Sequence, residues 1–128
     1  MRLFTYLTLT VFFSFALRVS AQQTHEVTVQ SNSFTPQELT ITAGDMVTWN
    51  NIGGIHNVNG TTATFPDNPE GFGNGAAAAS PWSYSFTFTQ PGTYDYQCDP
   101  HAALGMTGTI IVEPGGVQEI WEVAETLE

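Results

Sequence analysis

From Trp82 to Phe88 every second residue is a large aromatic, with Trp82, Tyr84, Phe86 and Phe88 separated by Ser83, Ser85 and Thr87. Successive side chains on a strand point to opposite faces, so one face of this segment carries rings and the other small polar groups. Such a strand turns its aromatic face into a core. Other stretches alternate in the same way. His25 to Gln30 reads as a strand with Val27 and Val29 on one face. Leu39-Thr40-Ile41-Thr42 passes through the turn Ala43-Gly44-Asp45 into Met46-Val47-Thr48-Trp49, which predicts a hairpin with Val47 and Trp49 inward. Gln90-Pro91-Gly92-Thr93 turns the chain, Tyr94, Tyr96 and Cys98 share the next inward face, and Thr107 to Val112 forms a closing strand. Sustained helical periodicity is missing until the chain's end, so the fold class predicted is an all-β sandwich.

The organisation around these strands is simple. Arg2 is followed by an apolar stretch from Leu3 to Leu17 and then by Val19-Ser20-Ala21, so residues 1–21 read as a signal peptide cleaved before Gln22. Arg18 ends the stretch short of the roughly 20 apolar residues that span a bilayer, so no membrane span is expected in the mature chain. Removing 21 of 128 residues leaves 107, enough for one small domain over 22–113. Asn59 to Pro81, rich in glycine, alanine and proline, reads as a long surface connection with a short helical turn at Ala76 to Ala79. Asn59-Gly60-Thr61 has the form of a glycosylation acceptor but reads as a turn. After Glu113-Pro114-Gly115-Gly116, residues 114–128 form an acidic tail in which Ile120, Trp121, Ala124 and Leu127 fall near one helical stripe.

Charge narrows the function classes. Both basic residues, Arg2 and Arg18, lie in the leader, so the mature chain keeps twelve acidic residues, no lysine or arginine, and a formal charge of −12. Binding to a phosphate backbone requires those missing cations, which excludes nucleic acid as the main partner. A soluble monomer that attracts a basic partner, less strongly as salt is added, is the expectation.

Cys98 is the only cysteine, so it has no internal disulfide partner in an oxidising compartment. It opens Cys98-Asp99-Pro100-His101-Ala102-Ala103-Leu104-Gly105-Met106, which offers a thiolate, an imidazole and a thioether within nine residues. His56 supplies a second imidazole, because His25 lies near the start of the mature chain. Two histidines, one cysteine and a long axial methionine suit mononuclear copper, since they satisfy Cu(I) and Cu(II) about equally and keep rearrangement small. Pro100, Ala102, Ala103 and Leu104, with Gly53 and Gly54, would rim the site with small apolar groups, leaving the His101 edge as the electron's exit.

The spacing Cys98-x2-His101-x4-Met106 resembles that of the cupredoxins, type 1 blue copper proteins, and is plastocyanin- and pseudoazurin-like, amicyanin-like loops being shorter. The similarity extends to Phe34-Thr35-Pro36, to 39–45, to Val47-Thr48-Trp49, to His56-Asn57-Val58, to Pro91-Gly92-Thr93-Tyr94 and to 106–110. It implies an eight-stranded Greek-key β-sandwich, one copper ion on His56, Cys98, His101 and Met106, and soluble electron shuttling between transient redox partners in the periplasm or outside the cell. It further implies that Asn57 ties the two ligand-bearing segments together and that the Ile55 carbonyl approaches the metal on its other axial side. Gln97 stands where an aromatic docking route would precede Cys98, and the acidic residues are scattered, so a photosynthetic partner is not indicated.

Rival readings lack residues. A copper oxidase or nitrite reductase needs more than three histidines, a binuclear centre needs a second cysteine, and a catalytic metal needs an open position that Met106 would fill. An enzyme is therefore not expected. A copper-delivery protein without a redox partner would use the same ligands and stays open as the alternative.

Overall fold

Alternation along the chain builds two facing sheets in the computed structural model, which describes residues 21–116. The predicted leader, apart from its last residue Ala21, and the stripe from Ile120 to Leu127 lie outside the described residues. In the first sheet β1 (Thr24–Gln30) pairs antiparallel with β2 (Ser33–Thr35) and parallel with β4 (Met46–Asn51). The edge strand β9 (Trp82–Thr87) lies antiparallel to β4, with Trp49 opposite Tyr84. The second sheet runs β3 (Glu38–Thr42), β11 (Thr107–Glu113), β10 (Gly92–Gln97), β6 (Asn59–Gly60) and β7 (Phe72–Gly73). A two-stranded ribbon of β5 (Ile55–His56) and β8 (Ala78–Ala79) completes the Greek-key sandwich. The described residues form eleven strands rather than the expected eight, and four of them, β5 to β8, are two-residue pairings that the sequence does not announce.

The inward faces are those the alternation predicted. Val27, Val29, Val47, Trp49, Tyr94, Tyr96 and Cys98 are fully buried. Trp49 sits at the centre, its ring 5.5 Å from Tyr96, 5.6 Å from Tyr84, 5.7 Å from Phe72 and 6.3 Å from Phe88. Trp82, Tyr84 and Phe86 face the same way but are only half-buried, because β9 is an edge strand.

Two expectations are corrected. The hairpin between 39–42 and 46–49 does not form, because β3 joins β11 in one sheet while β4 joins β1 and β9 in the other. Ile41, Val47 and Trp49 all face one core, which strands on opposite sheets allow. The turn itself spans the layers: the Ala43 N–H donates to the Glu113 carbonyl at 2.8 Å and the Gly44 N–H to Phe88 at 2.7 Å. Gly44 does this at φ +101°, a conformation that disfavours side chains. Nor is there a helical turn at Ala76 to Ala79, where Ala78 and Ala79 pair with His56 and Ile55 instead.

The 59–81 connection is more than a surface link. Phe72 is buried, and its ring lies over Gly60, where an added Cβ would fall 2.2 Å from it. Buried Asn68 donates to the Gly60 and Asp95 carbonyls and accepts from the Asp95 N–H at 2.8 Å, standing in for a strand residue beside β10. Asn59 is not in a turn but on β6, and the turn follows it: its side-chain oxygen accepts from the Thr61 N–H and hydroxyl while its amide nitrogen donates to Thr64 and Asp99.

At the turn between the sheets, buried Asp45 accepts from the Gln23 N–H at 3.0 Å and the Thr42 N–H at 3.1 Å, and meets the His25 ring at 2.9 Å. Burial pushes its pKa up, but the His25 ring and those two N–H groups outweigh burial and hold it below its ordinary 3.8. A lowered carboxylate pKa stabilises the fold above the ordinary value, and that contribution is lost as pH falls through the native one. Replacing Asp45 by Asn is expected to cost about 1–3 kcal/mol at neutral pH. Denaturant unfolding across the acid range should show the native and Asp45→Asn stabilities converging below pH 3.8.

Candidate metal centre

At the end of the sandwich opposite the Asp45 turn, two chain segments present their donors to each other. Asn51, the inward residue following Val47 and Trp49 on β4, closes the first segment by donating to the Gly54 carbonyl at 3.1 Å and accepting from the Gly53 N–H at 3.2 Å. Gly54 has φ +92°, and a Cβ there would stand 2.6 Å from Nε2 of His56, so the imidazole packs directly on this glycine. His56 itself is buried on β5.

The second segment begins where β10 ends. Cys98 continues the inward face of Tyr94 and Tyr96, and a 3-10 helix follows over Asp99–Leu104, with Pro100 in its first turn where a missing N–H costs nothing. The His101 N–H donates to the Cys98 carbonyl at 3.1 Å, the Met106 N–H to His101 at 3.2 Å and the Cys98 N–H to Met106 at 3.0 Å. These bonds close the loop on itself. Gly105 ends the helix at φ +84°, and Met106 is fully buried.

Among the described residues, His56, Cys98 and His101 form a group whose donor atoms could hold a metal ion. The Cys98 sulfur lies 3.6 Å from Nδ1 of His56 and 3.5 Å from Nδ1 of His101, and the two nitrogens are 3.2 Å apart. A triangle with those edges has its centre about 2.0 Å from each corner, close to the bond lengths of a first-row metal to imidazole and thiolate. Three electron-pair donors facing one point repel unless a proton or cation lies among them. The donor set, one thiolate and two imidazoles, is of the kind that suits copper, so the residues fit that metal.

Burial sets the metal-free charge. It pushes the Cys98 thiol up, against the N–H groups of Asn57 and His101 that pull it down, with Asp99 adding to the rise. Burial first, then His101, push the His56 imidazole down, against an opposing backbone bond. Both shifts favour neutral groups, so a cation held by these donors would have to displace the thiol proton.

Asn57 is buried and lies between the segments. Its oxygen accepts from the Asp99 N–H at 2.8 Å, while its nitrogen donates to the Asp99 carboxylate at 2.8 Å and to the Gly75 carbonyl at 2.9 Å. The Ile55 side chain is exposed on β5, and its residue pairs with Ala79. Asp99, Asn59 and Asn51 were not singled out from sequence as parts of the site. For Asn51 a signal exists, since a polar residue occupies an inward strand position; Asp99 and Asn59 read as ordinary loop residues.

Residues 21–113 match the model for copper-binding proteins of the plastocyanin/azurin family. A plastocyanin from Scenedesmus fuscus is 42% identical over 84 residues, 62% of this chain and 86% of its own. One from Prochlorothrix hollandica is 37% identical over 117 residues, 84% of this chain and 89% of its own. A solved copper(I) form of an amicyanin mutant is 33% identical, with a TM-score of 0.59 over 73% of this chain and 86% of that one.

The close approach at Gly54 yields a prediction. In Gly54→Ala the new methyl must turn the His56 ring or shift its backbone, so copper affinity measured against a competing chelator should fall about 10–100-fold. Gly53→Ala, whose Cβ would meet nothing closer than 3.9 Å, should leave it unchanged.

Proposed function

The chain belongs to the plastocyanin/azurin family of copper-binding proteins, and from that premise we propose that it is an exported, soluble, monomeric carrier passing single electrons between partner proteins through one copper ion held by His56, Cys98, His101 and Met106. The observation that carries this reading is the convergence of three donor atoms at 3.2–3.6 Å from two segments of the fold. Bound copper supplies a one-electron Cu(I)/Cu(II) couple. The protein's part is to keep the donors from rearranging. The loop bonds joining Cys98, His101 and Met106 and the Asn51 clamp beneath His56 do this with backbone groups that have little freedom to move.

The surroundings suit a brief encounter. His101 is half-buried while His56 is almost fully covered, so the first is the natural exit for the electron. Ile52 at 62%, Ile55 at 57% and Leu104 at 70% exposure place apolar side chains on the same two ligand-bearing segments. An apolar rim on a strongly acidic molecule favours a small, short-lived interface with a partner that offers an apolar centre and basic surroundings. The reading of residues 1–21 as a leader places the mature protein in the periplasm or outside the cell, and among the described residues no helix is long and apolar enough to cross a membrane.

Adding Cu(II) to the copper-free protein should produce an intense visible thiolate-to-copper band with reversible one-electron cycling. In Cys98→Ser the band should vanish, whereas Met106→Leu should keep copper and the band but change the potential. A band that survives Cys98→Ser would overturn the ligand assignment. Ready loss of Cu(I) to a competing acceptor, without reversible cycling, would favour copper delivery.

A further inference from the structure

Asp99, the residue after the Cys98 ligand, is exposed, yet its carboxylate is held by three side-chain amides. Oδ1 accepts from Asn59 Nδ2 at 2.8 Å and from Gln97 Nε2 at 3.0 Å, and Oδ2 accepts from Asn57 Nδ2 at 2.8 Å. Neither asparagine is free to turn over. The oxygen of Asn57 is taken by the Asp99 N–H, and that of Asn59 by the Thr61 N–H and hydroxyl, so each must present its NH2 end to the carboxylate.

This arrangement demands a group that only accepts. A neutral asparagine, or a protonated acid, would set a donor against one of the donors already fixed there. The fold is thus built around a charged Asp99 rather than merely tolerating one. Resting on the copper-carrier reading, the consequence is electrostatic. A fixed negative charge one residue from a ligand stabilises the oxidised centre, which carries one more positive charge, over the reduced centre, with water and salt weakening the effect.

We propose that Asp99 is a positioning residue whose amide-caged carboxylate fastens the Cys98–His101 turn to the Asn57–Asn59 segment and, through its fixed charge, lowers the reduction potential of the copper centre. The charge would favour release of the electron over its retention.

The test compares the copper-loaded protein with Asp99→Asn, Asp99→Ser and Asp99→Glu by voltammetry and visible spectroscopy. Loss of charge in Asp99→Asn should raise the equilibrium constant for reduction about tenfold, or about 59 mV for one electron, and added salt should shrink the difference. Asp99→Glu keeps the charge and should stay near the native potential. Asp99→Ser carries the same expectation as Asp99→Asn and decides the matter if the latter does not load copper. The proposal is overturned if the neutral variants keep the native potential with the visible band intact, or if Asp99→Glu shifts it as far as they do. A native protein without the band would instead sink the carrier reading.

Discussion

Packing of the two sheets around Trp49 is the constraint on which the site depends. His56 and Cys98 lie 42 residues apart in the chain, and their donor atoms meet at 3.6 Å. No local turn spans that gap. What spans it is the register of β10 on the same face as Tyr94 and Tyr96, and of β4 on the face of Val47 and Trp49, which carries the chain to Asn51 and Gly54 beneath His56. The aromatic contacts about Trp49 fix the distance between those faces, and close-packed interiors resist changes in it. A rigid core is therefore also the means by which two distant donors keep one geometry.

Alternation showed which side chains point inward, because that property is local to a strand. It did not show which sheet a strand joins, because pairing partners are set by contacts far along the chain. The segment Leu39–Trp49 illustrates the difference: Val47 and Trp49 face the core as the alternation predicts, yet β3 and β4 belong to opposite sheets. Phe72 was hidden for another reason. Glycine and proline around it mark a loop, and only the ring's fit over Gly60 reveals a core residue. Within the site, cysteine and histidine are so scarce here that residue type, with the position of His25 near the start of the mature chain, was enough to name three donors. Asp99 could not, since one aspartate among twelve acidic residues carries no label until its three amide partners are seen.

The spacing between Cys98 and Met106 resembles plastocyanin-like loops and not the shorter amicyanin-like ones, yet solved amicyanins overlay most of this chain. Sheet packing and loop length are thus independent variables. The first brings the His56 and Cys98 donors together, and the second sets the spacing of Cys98, His101 and Met106 along the loop, so proteins with one scaffold can differ there without refolding.

The Asn68 contact with β10 carries a consequence for the molecule in concentrated solution. Of β10, only Gln97 pairs with β6, which leaves the strand's outer side short of a partner at its middle. Asn68 takes both the N–H and the carbonyl of Asp95 there. A strand from a second molecule would find those groups already occupied, so this gap beside β10 is closed to strand addition by one asparagine side chain.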